Sequence, residues 1–208
     1  MWEMKVGDLS KIECIVFDFG FTLSSDLYFK VSPPECPEWH DIIQEHVFAN
    51  RHICRMWMTN ALSLRDIAAI VSDHANMDIS AVLETMELGC KDLDFNEAVL
   101  NFALAQRSQG KRTAIVTANM DVFSDVVVPS HRLDEKFDVI INSSDYGEID
   151  KRVLWPIAFK ALGDDIHYGN SLLIEDGSKE PELFRGCGGF AYEYTNDESF
   201  LRWLNEVG

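Results

Sequence analysis

Hydrophobic positions along the chain fall into two textures. Residues 12–17 form an almost unbroken apolar run rich in β-branched side chains, ending on Asp18, which is the pattern of a buried parallel strand with a carboxylate at its carboxyl end. Ser24, Ser25 and Asp26 then open a connector punctuated by Pro33, Pro34 and Pro37, which no helix can continue through. From residue 39 to 86 the spacing turns helical. Ile42, Ile43, His46 and Val47 share one face, Ser63-Leu-Arg-Asp66 is a capping box ahead of Ile67, Ile70 and Val71, and Asp78 or Ser80 starts a helix through Val82, Leu83 and Met86. No strand pattern interrupts this stretch. Strands and helices alternate after Asp94, which with Glu97 reads as a capping box for a helix carrying Val99, Leu100 and Leu104 and stopping at Gly110. Strands follow at Arg112–Thr117, 137–142, Ser171–Glu175 and 190–194, with helices at 153–162, closed by Gly163, and at 198–206.

This order predicts an α/β fold, a Rossmann-like doubly wound parallel sheet with a small α-helical domain inserted into it. The expected division is a core of residues 1–26 and 94–208 and an insertion of residues 27–93. A length of 208 residues suits one medium domain plus such an insertion.

Charge narrows the function. A formal net charge of −17 argues against nucleic acid or an anionic membrane surface as main partner, so an anionic substrate has to be met by local positive charge or a metal. Five cysteines (Cys14, Cys36, Cys54, Cys90, Cys187) are scattered with no CxxC pair and read as reduced thiols. No apolar run approaches the roughly 18 residues of a membrane span, and the first ten residues carry no signal-peptide core, so a cytoplasmic protein is expected.

Candidate chemistry collects where strands end. Asp18 is followed by Gly20, which permits a sharp turn, and by the Thr22 hydroxyl; Thr117-Ala-Asn119 closes the second strand; Lys151 comes next; Glu175-Asp176, with Glu180 beyond, closes another strand. Each feature alone is ordinary turn or capping chemistry. Their order together resembles the haloacid dehalogenase superfamily of hydrolases over essentially the whole chain. Asp18-Phe-Gly-Phe-Thr22 is similar to that family's first motif except at its second carboxylate, Thr117 and Asn119 match the second, and Glu175-Asp-Gly-Ser-Lys-Glu180 matches the fourth. Lys151 lies in a segment, Gly147 to Gly163, similar to the family's lysine-bearing one, with Arg152 in place of its usual proline. The helical insertion between the first two motifs resembles the family's first cap class.

The resemblance implies a Mg²⁺-dependent phosphatase acting on a small phosphorylated metabolite through an aspartyl-phosphate at Asp18. Mg²⁺ would be held by Asp18, the Gly20 carbonyl oxygen and Asp176. Thr117 would donate to a phosphoryl oxygen, Asn119 would bind substrate, Lys151 would offset charge, and Glu175 or Glu180 would orient the lysine or a metal-bound water. Gly20 is the departure, because the family's phosphatases usually carry there an Asp that protonates the leaving oxygen, worth about 10²–10⁴-fold. Four accounts remain open: a slower phosphatase whose acid comes from the cap or water; a substrate with a good leaving group, such as an acyl or sugar-1 phosphate; a dehalogenase or phosphonate-cleaving enzyme; or a non-catalytic phosphate-binding or protein-interaction module.

The insertion offers groups that could reach the site. His40, His46, Arg51, His52 and Arg55 are available, with Arg51 and Arg55 spaced i, i+4 on one helical face as candidate substrate-binding residues, whereas Trp39, Trp57, Met56 and Met58 read as core. Asp18-Phe-Gly20 also spells the kinase metal-binding tripeptide, but without a glycine-rich or catalytic loop. The run 186–189, Gly-Cys-Gly-Gly, precedes a strand and predicts a tight turn rather than a dinucleotide loop. Association into a homodimer is left open.

Overall fold

A computed structural model describes residues 8–26 and 28–207. Strands β1 (Cys14–Phe17), β2 (Arg112–Thr117), β3 (Val139–Asn142), β4 (Ser171–Glu175) and β5 (Phe190–Glu193) form one sheet in the order β3-β2-β1-β4-β5, with every neighbouring pair parallel. The winding runs from β1 outward through β2 to β3, then returns to the other flank of β1 for β4 and β5. Such a reversal opens a crevice at the carboxyl ends of the strands, so the end of β1 is where a ligand site is expected.

Both faces of the sheet are covered, and the period-two alternation of each strand decides which side chain goes where. Ile15, Phe17, Ile115, Leu172 and Ile174 face a cluster that includes Val99, Phe102 and Ala103 of α5 (Glu97–Ser108) and Phe200 of α11 (Asp197–Val207). Cys14, Val16, Ala114, Val116 and Leu173 face the opposite cluster, with Leu154, Trp155, Ala158 and Phe159 of α9 (Lys151–Leu162) and Phe184 of α10 (Lys179–Gly186). Short helices α6 (Val128–His131) and α7 (Leu133–Lys136) lead from β2 towards β3, and α8 (Ser143–Tyr146) follows β3.

Between β1 and α5 lie four helices: α1 (Trp39–Ile43), α2 (Arg51–Met58), α3 (Leu64–Ala75) and α4 (Ile79–Lys91). The caps of α3 and α4 are the ones the sequence announces, and that of α2 is an addition. Ser63 and Asp66 bond reciprocally at the start of α3, Asp78 accepts from Ser80 N–H at the start of α4, and Asn50 accepts from His52 and Ile53 N–H at the start of α2. The two chain crossings into this region lie side by side, with Ser25 N–H donating to Asp94 O at 3.0 Å and Asn96 N–H to Leu23 O at 2.9 Å. Lys30 pairs across them with Asp26 at 2.5 Å and Asp94 at 3.4 Å. The apolar interior is continuous from this helical layer into the sheet: Trp39, Trp57, Ile67, Val71 and Met86 belong to the same buried cluster as Phe19, Phe123 and Phe17.

Four expectations are corrected by local chemistry. Asp94 does not cap α5, because its backbone is committed to the crossing, where its N–H donates to Asp26 at 2.8 Å; Asn96 takes the cap position without a side-chain bond. His46 and Val47 lie in a π turn, Gln44–Phe48, that continues α1. Helix α9 starts two residues early, since Asp150 accepts from Arg152 N–H at 2.9 Å and so makes Lys151 its first residue. Lys151 therefore sits at a helix N-terminus, with α8 between it and β3. No helix among the described residues is long and apolar enough to cross a membrane.

Candidate active site

Four charged groups meet where β1 and β4 end and α9 begins. Lys151 Nζ lies 2.8 Å from Asp18 Oδ1 and 2.6 Å from Glu175 Oε2, and all three residues are buried. Asp18, Glu175 and Asp176 each bring a carboxylate oxygen within 4.8 Å of the others'. One ammonium against three carboxylates leaves two negative charges uncompensated when all are ionised.

The electrostatics follow from that crowding. Burial would lower the Lys151 pKa, but Asp18 and Glu175 outweigh it and hold the ammonium charged. Burial, and then Asp18, raise Glu175 above the usual carboxylate range against the opposing pull of Lys151. Asp176 is raised by the same two causes in the same order. A hard divalent cation with oxygen ligands suits this donor set, since it would supply the missing charge.

Gly20 has room around it. A Cβ built there meets no atom within 4 Å, so the absence of a side chain is not imposed by crowding. Gly177, by contrast, is closely placed, its Cβ position lying 3.3 Å from Glu180 Oε2 and 3.8 Å from Glu175 Oε1. Thr22 is buried and donates to Asp176 Oδ1 at 3.4 Å. Thr117 and Asn119 are buried at the end of β2. A polar network fixes that end: Asn119 N–H donates to Ser143 Oγ at 2.9 Å and approaches Asn142 Oδ1 at 3.1 Å, and Asn142 Nδ2 donates to Met120 O, Ser124 Oγ and Ser144 Oγ. Asn142 and Ser143 were not singled out in the sequence, although Asn142-Ser-Ser144 is a polar triplet closing a strand like the others.

The helical layer touches this end directly. Asp121 Oδ1 accepts from Trp57 Nε1 at 2.6 Å, and its Oδ2 accepts from Leu64 N–H at 2.8 Å. Ser143 Oγ donates to Met58 O at 2.8 Å. Arg55 borders an open cleft of about 440 Å³ together with Lys151, Arg152, Lys179 and Glu180. Arg51, although one turn away on α2, is exposed and does not line that cleft. Three of the insertion's histidines are engaged elsewhere, His46 stacked on His74 at 3.5 Å and His40 bonded to Ser32, while His52 is exposed. Among its lysines, Lys30 is held by the crossing acids and Lys91 by Glu87. Tyr28, also unremarked in the sequence, lies over Phe19, the neighbour of Asp18.

No family model and no curated protein sequence matches the chain. Solved structures do match, at low identity. The magnesium complex of the HAD-family enzyme BT-2542 from Bacteroides thetaiotaomicron is similar with a TM-score of 0.68 and 12% identity, over 92% of this chain and 98% of that one. BT-2542 has also been solved with magnesium and inorganic phosphate. A HAD-like family hydrolase from Porphyromonas gingivalis gives 0.63 and 15% over 94% and 99%. L-2-haloacid dehalogenase from Xanthobacter autotrophicus, with chloropropionic acid covalently bound, gives 0.62 and 12% over 92% and 81%. The chain thus has the fold of the haloacid dehalogenase enzymes.

Proposed function

We propose that this protein is a Mg²⁺-dependent phosphatase that cleaves a small phosphorylated metabolite through a covalent intermediate on Asp18. The carrying observation is the cluster at the end of β1, a buried lysine clamped between Asp18 and Glu175 with Asp176 within reach. In this reading residues 1–26 and 94–208 are the catalytic core, and residues 27–93 are a cap that shields the site from water. Asp18, Asp176 and the Gly20 carbonyl oxygen would hold Mg²⁺, which when bound supplies charge for the phosphoryl group.

The rest of the chemistry falls to the chain. An Asp18 carboxylate oxygen attacks phosphorus as the bond to the leaving oxygen breaks. Lys151 pairs with Asp18 and draws charge from the phosphoryl oxygens, and Thr117 donates its hydroxyl to one of them. Water then attacks the aspartyl-phosphate, releasing inorganic phosphate and regenerating the carboxylate. Gly20 provides no proton, so the leaving oxygen must depart as a stable anion or take a proton from water. That favours acyl and sugar-1 phosphates over simple alkyl phosphates. Arg55, on the cleft shared with Lys151, is placed to meet the leaving portion, and Asn119 and Arg51 complete the proposed substrate contacts. The paired acids Glu175-Asp176 weigh against a dehalogenase, and the engaged Lys30 and Lys91 against phosphonate cleavage by a cap lysine.

The test is phosphate release from a panel of phosphomonoesters, acyl phosphates and sugar phosphates. Turnover that vanishes with chelator and in Asp18→Asn supports the phosphatase. Equal inertness of wild type and D18N across the panel overturns it in favour of a binding module.

A further inference from the structure

Cationic side chains are scarce in this chain, 18 lysines and arginines against 35 acids, yet Arg55, Lys151, Arg152 and Lys179 gather on one cleft of about 440 Å³. Helices α9 and α10 both begin on it, at Lys151 and Lys179, so the positive ends of their dipoles add to the side-chain charge. Lys151 is also the residue whose ammonium touches Asp18, which joins the cleft to the proposed nucleophile through a shared wall residue.

The cations differ in what they have left to bind. Lys151 is held between Asp18 and Glu175, Arg152 pairs with Asp150 at 2.5 Å, and Lys179 lies 3.4 Å from Glu180. The remaining acid of the lining, Glu148, accepts from Asp150 N–H at 2.8 Å. The Arg55 guanidinium is exposed and has neither an ion pair nor a hydrogen bond among the described residues. Its backbone, in contrast, is firmly placed. The end of α2 is fastened to the core where Trp57 Nε1 donates to Asp121, Ser143 Oγ donates to Met58 O, and Thr59 O lies 3.8 Å from a Cβ built on Gly147. Arg55 belongs to the same turn, and its carbonyl accepts from Thr59 Oγ1 at 2.9 Å. A docked turn therefore presents to the cleft a planar fork of donors that no acid of the chain receives, and that fork matches the two oxygens of a carboxylate or phosphate.

We propose that the leaving portion of the substrate carries a second oxyanion, a carboxylate or a phosphate, and that Arg55 determines this specificity by taking it into a bidentate pair. This rests on the phosphatase reading and narrows its substrate class, since a neutral leaving portion leaves the guanidinium unused. It also answers the chain's net charge of −17, which repels an anionic substrate at long range and has to be offset by positive charge at the cleft itself.

Matched substrates test it. Phenyl phosphate is compared with its 3- and 4-carboxy and 3- and 4-phosphonomethyl derivatives, and glucose 1-phosphate with glucuronic acid 1-phosphate, each set sharing one leaving oxygen. Wild type is expected to favour a charged member over its neutral parent by about ten-fold in kcat/KM, mainly through KM, and a preference for carboxylate or for phosphonate identifies the oxyanion. Arg55→Gln should bring that ratio close to one, and Arg55→Lys should keep part of it, as a point charge without the fork. Comparing the ratio between wild type and R55Q cancels differences in leaving-group acidity, and it does not move if Arg55 is merely structural, because both members then lose alike. A wild type that favours no charged member, or an R55Q whose ratio equals that of wild type, overturns the proposal. A wild type inert towards every member, charged and neutral alike, defeats the phosphatase reading itself, which separates that failure from this one.

Discussion

In the proposed phosphatase, position 20 is the residue on which catalytic rate would turn. Nothing lies within 4 Å of a Cβ built on Gly20, and its backbone is not in the left-handed region that favours glycine. Gly20→Asp should therefore fold normally, and by restoring an acid and base beside Asp18 should raise kcat for poor leaving groups by about 10²-fold, with little change for acyl phosphates; steady-state kinetics on both substrate types checks this. Lys151 is the opposite case. Lys151→Met leaves Asp18 and Glu175 facing each other buried and unpaired, so turnover should be lost and stability should fall by about 3 kcal/mol at neutral pH in urea titrations. Glu175, already raised by burial and Asp18, takes up a proton more readily once the lysine is gone. The cost should be largest above about pH 8 and smaller towards pH 5, and a pH-independent loss would contradict the ion cluster.

Among elements, Asp121 carries two of the hydrogen bonds between the helical layer and the chain just beyond β2. Asp121 accepts from the Trp57 indole and from the Leu64 backbone, and Trp57 is fully buried. Asp121→Ala strands both donors and should cost about 1–3 kcal/mol by denaturant unfolding, while Asp121→Asn, which keeps one acceptor, should cost less. Equal losses would mean that charge rather than hydrogen bonding holds the contact. Helix α9 shows how a sequence departure is absorbed. Arg152 stands where the family pattern has proline, and it pairs at 2.5 Å with the capping Asp150, whose carboxyl is held down to about 2 first by that side-chain contact. The cap that orients Lys151 is thus kept by an acid and an arginine.

At the scale of the molecule, the buried cluster running from Phe17 through Phe19 and Phe123 to Trp57 and Val71 leaves no break between insertion and sheet. Unfolding followed by tryptophan fluorescence and by far-ultraviolet circular dichroism should give coincident transitions, and separated midpoints would show independent units. The site's charge also governs pH dependence. Glu175 and Asp176 are raised above their ordinary values, so above about pH 4 the folded chain holds protons that the unfolded chain has released, and stability falls as pH rises through that window. A bound divalent cation reverses the penalty. Mg²⁺ should raise Tm more at pH 8 than at pH 5, by an amount that grows with concentration, and D18N should blunt the effect.

What the sequence determined by itself is what short-range pattern encodes. Apolar runs placed β2 and β4 to the residue, capping chemistry placed the starts of α3 and α4, and the order of Asp18, Thr117, Lys151 and Glu175-Asp176 foretold a cluster. Tertiary structure decided what depends on groups far apart in the chain. Lys151 became the bridge between two carboxylates only when α9, packed on β2 and β3, brought its first residue to the ends of β1 and β4, and Asp94 was diverted from capping by pairing with the other crossing. Asp121 and Asn142 gained their roles from partners 64 and 22 residues away. The Phe29 turn carries no motif at all, and its positive φ is held by Trp57 and Gly89, which lie far along the chain. Local propensity and spacing are readable along a chain, whereas partnership between buried polar groups is set by packing, which brings them together only in the folded molecule.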